Sequence, residues 1–157
     1  MNAYYAELYD YAYWANLEVV RKLQALERPP TKALQWLAHV LAAERVWLAR
    51  LNGHDSTKLP IWPELSLDEC ERLMEDNRRG YREYAEALSE DRLQEKVAYK
   101  NSQGTSFETS VRHILTHVAM HGGYHRGQIA ALLRQEGYEP VSTDFIRYAR
   151  LLDGPGI

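Results

Sequence analysis

The sequence predicts an all-α protein, and three observations lead to this prediction. Four long stretches repeat apolar residues at three- and four-residue spacing, the period of an amphipathic helix. Proline or glycine stands where these stretches end, as at Pro29-Pro30 and Gly53. Between residues 94 and 107 the helical pattern is replaced by a short alternation of apolar and polar residues. With 157 residues, the chain has the length of one ordinary domain, residues 1–157, and can bury a core.

We expect the first helix over residues 3–26. Its apolar residues recur at helical spacing, while its charged residues fall mostly elsewhere on the helical wheel. The segment is also rich in aromatic side chains, which are Tyr4, Tyr5, Tyr9, Tyr11, Tyr13 and Trp14. Packing on two sides of the helix explains them most simply, and phenols that line a pocket are the alternative.

The second helix is expected over residues 32–52, with Thr31 as its N-cap and Gly53 at its C-terminal end. Pro29-Pro30 separates it from the first helix, because proline donates no backbone hydrogen bond. His39 lies away from the main leucine stripe and is surrounded along the helix by small and apolar residues. It is therefore either a hydrogen-bonded core histidine or a metal ligand.

A loop over residues 53–65 is long enough to cross the end of a bundle. Ser66 and Glu69 then form a capping box, which opens a third helix that runs to about Leu88. Cys70 falls on the apolar face of this helix. We therefore interpret it as a packing residue and not as a nucleophile.

Residues 94–107 form either a short hairpin or an irregular crossover, since apolar and polar residues alternate around a turn sequence. The fourth helix is expected to begin near Ser106 and to run to about Glu136, where Gly137 ends it. A short last helix begins at residues 142–144 and ends near Leu152.

The charge pattern argues against nucleic-acid binding. The chain holds 19 basic and 22 acidic residues, for a formal net charge of −3, and has no long block of one sign. A single cysteine excludes an internal disulfide and fits a reducing cytosol. We see neither a signal peptide nor an apolar run long enough to span a membrane. A cytoplasmic protein is the simplest expectation.

The most informative stretch holds His113, His117, His121 and His125 at four-residue intervals. On a helix, residues four apart lie one above the other with a drift of about 40° per step, so adjacent pairs can bind one ion. His113 and His125 are about 120° apart around the helix, so all four histidines cannot bind one metal. The metalloprotease motif has a glutamate directly after the first of its two histidines, and here Gly122 follows His121, so His121 and His125 do not form that motif.

Four segments of the chain resemble the DinB-like family of bacterial proteins, usually described as metal-dependent enzymes. They are Tyr13-Trp14-Ala15-Asn16, Leu37-Ala38-His39-Val40, the segment His117–Ile129 with its His-Arg-Gly-Gln sequence, and Pro140-x-x-Thr143-Asp144. The match extends over nearly the whole chain. The resemblance implies a four-helix bundle with a long crossover connection, often a homodimer.

The resemblance also implies a divalent metal held by His39, His121 and His125. Zinc or nickel is expected first, with iron or manganese as the alternatives. His117 would be an outer partner of the ligands or a pocket residue. Arg126 is expected to be a helix-packing or dimer-contact residue, and Gln128 could form a hydrogen bond near the ion.

Three neutral imidazoles would leave the metal open to a small-molecule substrate, as in catalytic sites. Related families with this fold are associated with reactions of low-molecular-weight thiols, so the resemblance favours a thiol S-transferase. A metal-dependent hydrolase and a non-enzymatic metal-binding stress protein are the alternatives. The sequence does not assign catalytic residues.

Overall fold

The computed structural model describes residues 2–154 and is mostly helical. Its elements are α1 (Ala3–Ala25), α2 (Thr31–Leu51), α3 (Leu67–Glu86), a 3-10 helix (Asp91–Gln94), β1 (Lys96–Lys100), β2 (Ser106–Ser110), α4 (Val111–Gln135) and α5 (Phe145–Leu152). The predicted helical class is confirmed, with one small antiparallel hairpin added to it. The four-helix-bundle arrangement stays an expectation from the resemblance.

The four long helices share one interior. Helix α1 packs mainly on α3, and α2 packs on both α3 and α4. Two apolar clusters fill this interior. One contains Tyr5, Tyr9, Ala12, Leu51, Tyr81, Tyr84, Leu88, Leu93, Val111, Ile114, Leu115 and Val118. The other contains Val19, Val20, Leu23, Ala33, Leu37, Ala38, Leu41, Cys70, Leu73, Met74, Ile129 and Leu133.

A buried polar layer separates the two apolar clusters along every long helix. It consists of Asn16 in α1, Glu44 in α2, Asn77 in α3 and Arg126 in α4. Asn16 Nδ2 donates to Glu44 Oε1 at 2.8 Å, and Asn77 Nδ2 donates to Glu44 Oε2 at 3.1 Å. Arg126 Nη1 donates to Asn16 Oδ1 at 2.8 Å. The layer therefore joins four helices around one carboxylate.

Local sequence signals set most helix boundaries. The predicted capping box is present, since Ser66 Oγ accepts from the Glu69 amide and Glu69 accepts from the Ser66 amide. Gly53 ends α2 with a φ of 73°, in the left-handed region that glycine adopts without steric cost. At the other end of α2 the prediction was wrong. Thr31 is the first helical residue, and its predecessor Pro30 forms no side-chain cap.

The predicted start of the fourth helix near Ser106 was also wrong. Residues 106–110 form β2, which pairs with β1 in a register that sets Tyr99 opposite Phe107. Asn101 Oδ1 accepts from two turn amides and closes the hairpin. Ser110 then caps α4 by accepting from the His113 amide. Of the two alternatives for this segment, the hairpin is present.

No helix within residues 2–154 is long and apolar enough to cross a membrane.

Candidate metal centre

Helices α2 and α4 bring three imidazoles together. His39 comes from α2, and His121 and His125 lie one turn apart on α4. One nitrogen from each ring lies within 4.8 Å of the others, and Nε2 of His39 is 3.1 Å from Nε2 of His121. Two nitrogens bound to one tetrahedral zinc ion at about 2.0–2.1 Å are about 3.3 Å apart. The residues present therefore fit a divalent ion.

Two of the rings are held with the same nitrogen facing inward. His39 Nδ1 lies 2.8 Å from the carbonyl oxygen of Ile61, which can only accept, so Nδ1 donates. His125 Nδ1 donates in the same way to Gln128 Oε1 at 2.6 Å. In both rings the unprotonated Nε2 then carries the lone pair that an ion can bind. Such outer hydrogen bonds are how ligating histidines are usually oriented.

The electrostatics of the cluster favour neutral rings. Burial lowers the pKa of His121 to about 4, and the neighbouring imidazoles of His125, His39 and His117 add to the effect. Burial also lowers the pKa of His39, partly offset by its bond to the Ile61 carbonyl. At neutral pH both rings carry no charge, which is the protonation state that metal binding requires.

Two exposed aromatic side chains, Trp62 and Tyr124, lie beside the three imidazoles. The indole of Trp62 stacks on the His39 ring with centroids 3.7 Å apart and planes at 6°. It also meets the His125 ring edge-on at 6.2 Å, yet 58% of Trp62 remains exposed. Tyr124 lies edge-on to His125 on the outer face of α4. Trp62 was not predicted as a site residue, although a tryptophan between Pro60 and Pro63 in a loop is a usable signal.

The other histidines lie outside the cluster. The His117 ring is 5.5 Å from that of His121 and packs edge-on against Trp47 at 5.4 Å. No hydrogen bond of His117 to the three proposed ligands is present among the described residues, and its role as an outer partner or a pocket residue stays a prediction. His113 and His54 are exposed.

Three further expectations can be compared with the structure. Cys70 is fully buried, and burial raises the pKa of its thiol to about 11, so its assignment as a packing residue is confirmed. Gln128 forms the hydrogen bond near the cluster that was considered for it. Arg126 is buried between helices, which favours the packing alternative.

Carboxylates are absent from this cluster within the described part of the chain. Glu44 lies on the same helix as His39, but both its oxygens accept from asparagines of the polar layer. The cluster is therefore a set of imidazoles with one exposed aromatic side. This arrangement defines a class of helical protein whose three histidines could hold a divalent ion.

Comparisons with known proteins identify the family. A sequence model of the DinB family matches residues 1–154. The chain is also 28% identical over 165 aligned positions to Protein DinB of Bacillus subtilis (strain 168), and the alignment covers 94% of this chain and 95% of that protein. The chain belongs to the DinB family.

Proposed function

We propose that this protein is a metal-dependent enzyme that transfers a low-molecular-weight thiol to a small-molecule substrate. The observation that supports it best is the convergence of His39, His121 and His125, with Nε2 of His39 and of His125 in the unprotonated form that binds an ion. Zinc or nickel suits three imidazoles, with iron or manganese as alternatives. When bound, the divalent ion supplies the positive charge that makes a thiol acidic near neutral pH.

Residues of the protein would hold the ligand rings in position, limit water at the site and contact the substrate. The Ile61 carbonyl and Gln128 hold the rings of His39 and His125, so the ligand nitrogens of these two rings are positioned before the ion arrives. The stacked indole of Trp62 covers one face of His39 and limits water on that side. Because Trp62 and Tyr124 are exposed beside the site, they offer apolar surface to the body of a substrate.

The surroundings of the cluster favour thiol transfer over hydrolysis. A metal-assisted hydrolase commonly uses a carboxylate as general base, and the cluster contains none within residues 2–154. A thiol depends less than water does on a general base, because the pKa of a thiol is lower even without a metal. Cys70 does not supply the thiol, since it lies in the core and its pKa is raised. The thiol therefore comes from solution.

The first experiment measures bound metal in untagged protein by mass spectrometry. We expect close to one divalent ion per chain in the parent, and loss of the ion in His39→Ala and His125→Ala, because each removes one of three donors. His113→Ala is the matched control, since it removes an exposed histidine of the same helix outside the cluster. A His39→Ala variant that retained the ion would contradict the proposed ligand set.

The second experiment tests the reaction. Metal-loaded parent protein is incubated with an electrophile and, in turn, with glutathione, bacillithiol, mycothiol or coenzyme A. We expect conjugation with at least one thiol, and loss of the reaction in His125→Ala but not in His113→Ala. If metal-loaded protein conjugates none of the four thiols, the transferase proposal is wrong.

A further inference from the structure

Trp62 is the most exposed of the four tryptophans of the protein. It lies in the segment that joins α2 to α3, and 58% of it is exposed, whereas the other three are half-buried. Its aromatic contacts within residues 2–154 are a stack on the ring of His39 and an edge-on contact with that of His125. Both partners are proposed metal ligands. Because so exposed a side chain contributes little to the core, its contact with the histidine cluster is the feature to explain.

Two neighbouring residues hold the His39 ring in perpendicular directions. The Ile61 carbonyl oxygen lies 2.8 Å from Nδ1 and accepts a hydrogen bond from the N–H group, which lies in the plane of the ring. The Trp62 indole lies on the face of the ring, with centroids 3.7 Å apart and planes at 6°. The hydrogen bond sets the direction of Nδ1, and the stack resists rotation of the ring out of its plane. Together these contacts fix the direction in which Nε2 points.

The segment that carries both groups is itself restrained. Pro60 and Pro63 flank the pair, and each proline ring fixes its own φ at about −65°. Before them along the chain, Arg50 Nε donates to Ser56 Oγ at 3.0 Å. After them, Ser66 begins the capping box of α3. Since the segment is held on both sides, the indole can stay against the imidazole without being buried.

The stack should also respond to a bound ion. The face of an indole carries negative partial charge and attracts positive charge. An imidazole bound to a divalent ion is more positive than a free neutral imidazole. The attraction between Trp62 and His39 is therefore stronger in the metal-bound protein than in the metal-free protein. Such a difference between two states is what changes an affinity.

We propose that Trp62 is a positioning residue that raises the metal affinity of the site through its stack on the His39 ring. This inference rests on the three-histidine site of the proposed function, but not on thiol transfer. Removing an outer partner of a ligating histidine commonly weakens metal binding by about 10–100-fold. We expect the lower end of this range, because the Ile61 carbonyl still holds the ring when the indole is removed.

The test is the zinc affinity of the chelator-stripped full chain at neutral pH, measured by competition with a chromogenic chelator. Trp62→Ala should bind zinc about tenfold more weakly than the parent. Trp62→Phe should stay within about threefold of the parent, since it keeps a flat aromatic face, whereas Trp62→Leu should resemble Trp62→Ala.

Tyr4→Ala is the control for these variants. It removes an aromatic side chain of comparable exposure, 67%, at the start of α1, where the ring packs edge-on against Tyr5. Because Tyr4 has no ring contact with the three histidines among the described residues, this variant should bind zinc like the parent.

The possible outcomes separate the role of Trp62 from the existence of the site. Unchanged zinc affinity in Trp62→Ala overturns the inference and leaves the metal site intact, whether or not the Tm of the metal-free variant falls. Parent-like affinity in Trp62→Leu also overturns it, because an apolar side chain without a stacked face would then suffice. If the parent itself binds neither zinc nor nickel, the proposed function and this inference fail together.

Discussion

At the residue scale, Glu44 is a buried carboxyl group that accepts hydrogen bonds from Asn16 and Asn77. Burial raises the pKa of this carboxyl group from its ordinary value of 4.5 to about 7, although bonds from Asn16 and Asn77 and the charge of Arg126 act in the other direction. Desolvation is thus the larger effect, because the carboxyl group lies deep among four helices. The folded chain consequently binds a proton at Glu44 more tightly than the unfolded chain does.

The sign of the resulting pH dependence follows from this difference. Between about pH 4.5 and pH 7 the folded state holds a proton at Glu44 that the unfolded state has released. The contribution of Glu44 to the free energy of unfolding is therefore full below pH 4.5 and decreases as the pH rises to about 7. At 1.36 kcal/mol per pKa unit, the decrease amounts to roughly 3 kcal/mol.

We predict that Glu44→Gln is less stable than the parent, and that its deficit shrinks by up to about 3 kcal/mol between pH 4.5 and pH 7. The variant is less stable because the glutamine NH₂ group would face an asparagine donor. The deficit shrinks because the parent loses stability as the pH rises and Glu44 titrates, whereas glutamine does not titrate. Urea unfolding at several pH values measures both effects.

Glu86→Gln is the control, because Glu86 is an exposed carboxylate at the end of α3. Its stability curve should stay parallel to that of the parent. A constant difference between Glu44→Gln and the parent across this pH range would contradict the prediction.

At the element scale, different sides of α4 position different functional groups. One side presents His121 and His125 to α2, and another directs Arg126 into the polar layer. Gly122 and Gly123 lie between these groups, although glycine in a helix interior costs about 1 kcal/mol relative to alanine. The structure explains only the first of them, because its missing side chain leaves space for the Arg126 guanidinium group.

This contrast gives a matched pair of variants. We predict that Gly123→Ala stabilises the metal-free protein by up to about 1 kcal/mol, because a Cβ there contacts nothing within 4 Å. Gly122→Ala should destabilise it by about 1–3 kcal/mol, because Arg126 would have to give up its bond to Asn16. Denaturant unfolding with a chelator present measures both, and equal effects would show that Arg126 tolerates the displacement.

One side chain of α2, Arg50, contacts both the following loop and the hairpin. The guanidinium carbon of Arg50 lies 4.4 Å from the centre of the Trp47 ring and 4.6 Å from that of Tyr99 in β1. Arg50 Nε also donates to Ser56 Oγ at 3.0 Å. This contact connects α2, the following loop and β1. It thereby fixes the position of Trp47, against which His117 packs.

At the scale of the whole molecule, the apolar clusters and the polar layer join all four long helices, whereas the histidine cluster joins only α2 and α4. We therefore expect folding to depend on apolar burial and on the polar layer, with metal binding adding stability only by mass action. Homodimer formation and a cytoplasmic location stay predictions.

We predict that a chelator leaves the far-ultraviolet circular dichroism of the protein at 25 °C unchanged while it abolishes thiol transfer. Restoring the metal should restore the reaction and raise the Tm. The reason is that the apolar clusters join all four long helices, whereas the three histidines join only α2 and α4. Unfolding upon chelation would instead favour the non-enzymatic alternative, in which the metal holds the fold together.

The sequence by itself determined the features that depend on neighbours along the chain. The capping box at Ser66 and the end of α2 at Gly53 were predictable because hydrogen bonds within a few residues create them. The buried face of α3, with Cys70 in it, followed from helical periodicity. Helical spacing also predicted that adjacent histidines of α4 share a face, and the family resemblance selected His121 and His125 among them.

Only the tertiary structure decided which distant groups meet. His39 joins the pair because α2 packs on α4, and its local neighbours equally allowed a core histidine, so its candidacy as a ligand came from the family resemblance. The stacking of Trp62 on His39 and the assembly of the polar layer around Glu44 were not predicted from the sequence. Residues 106–110 became a strand because β1 was there to pair with them. Periodicity shows which face of an element is apolar, but the partner of that face is chosen by packing among all elements together.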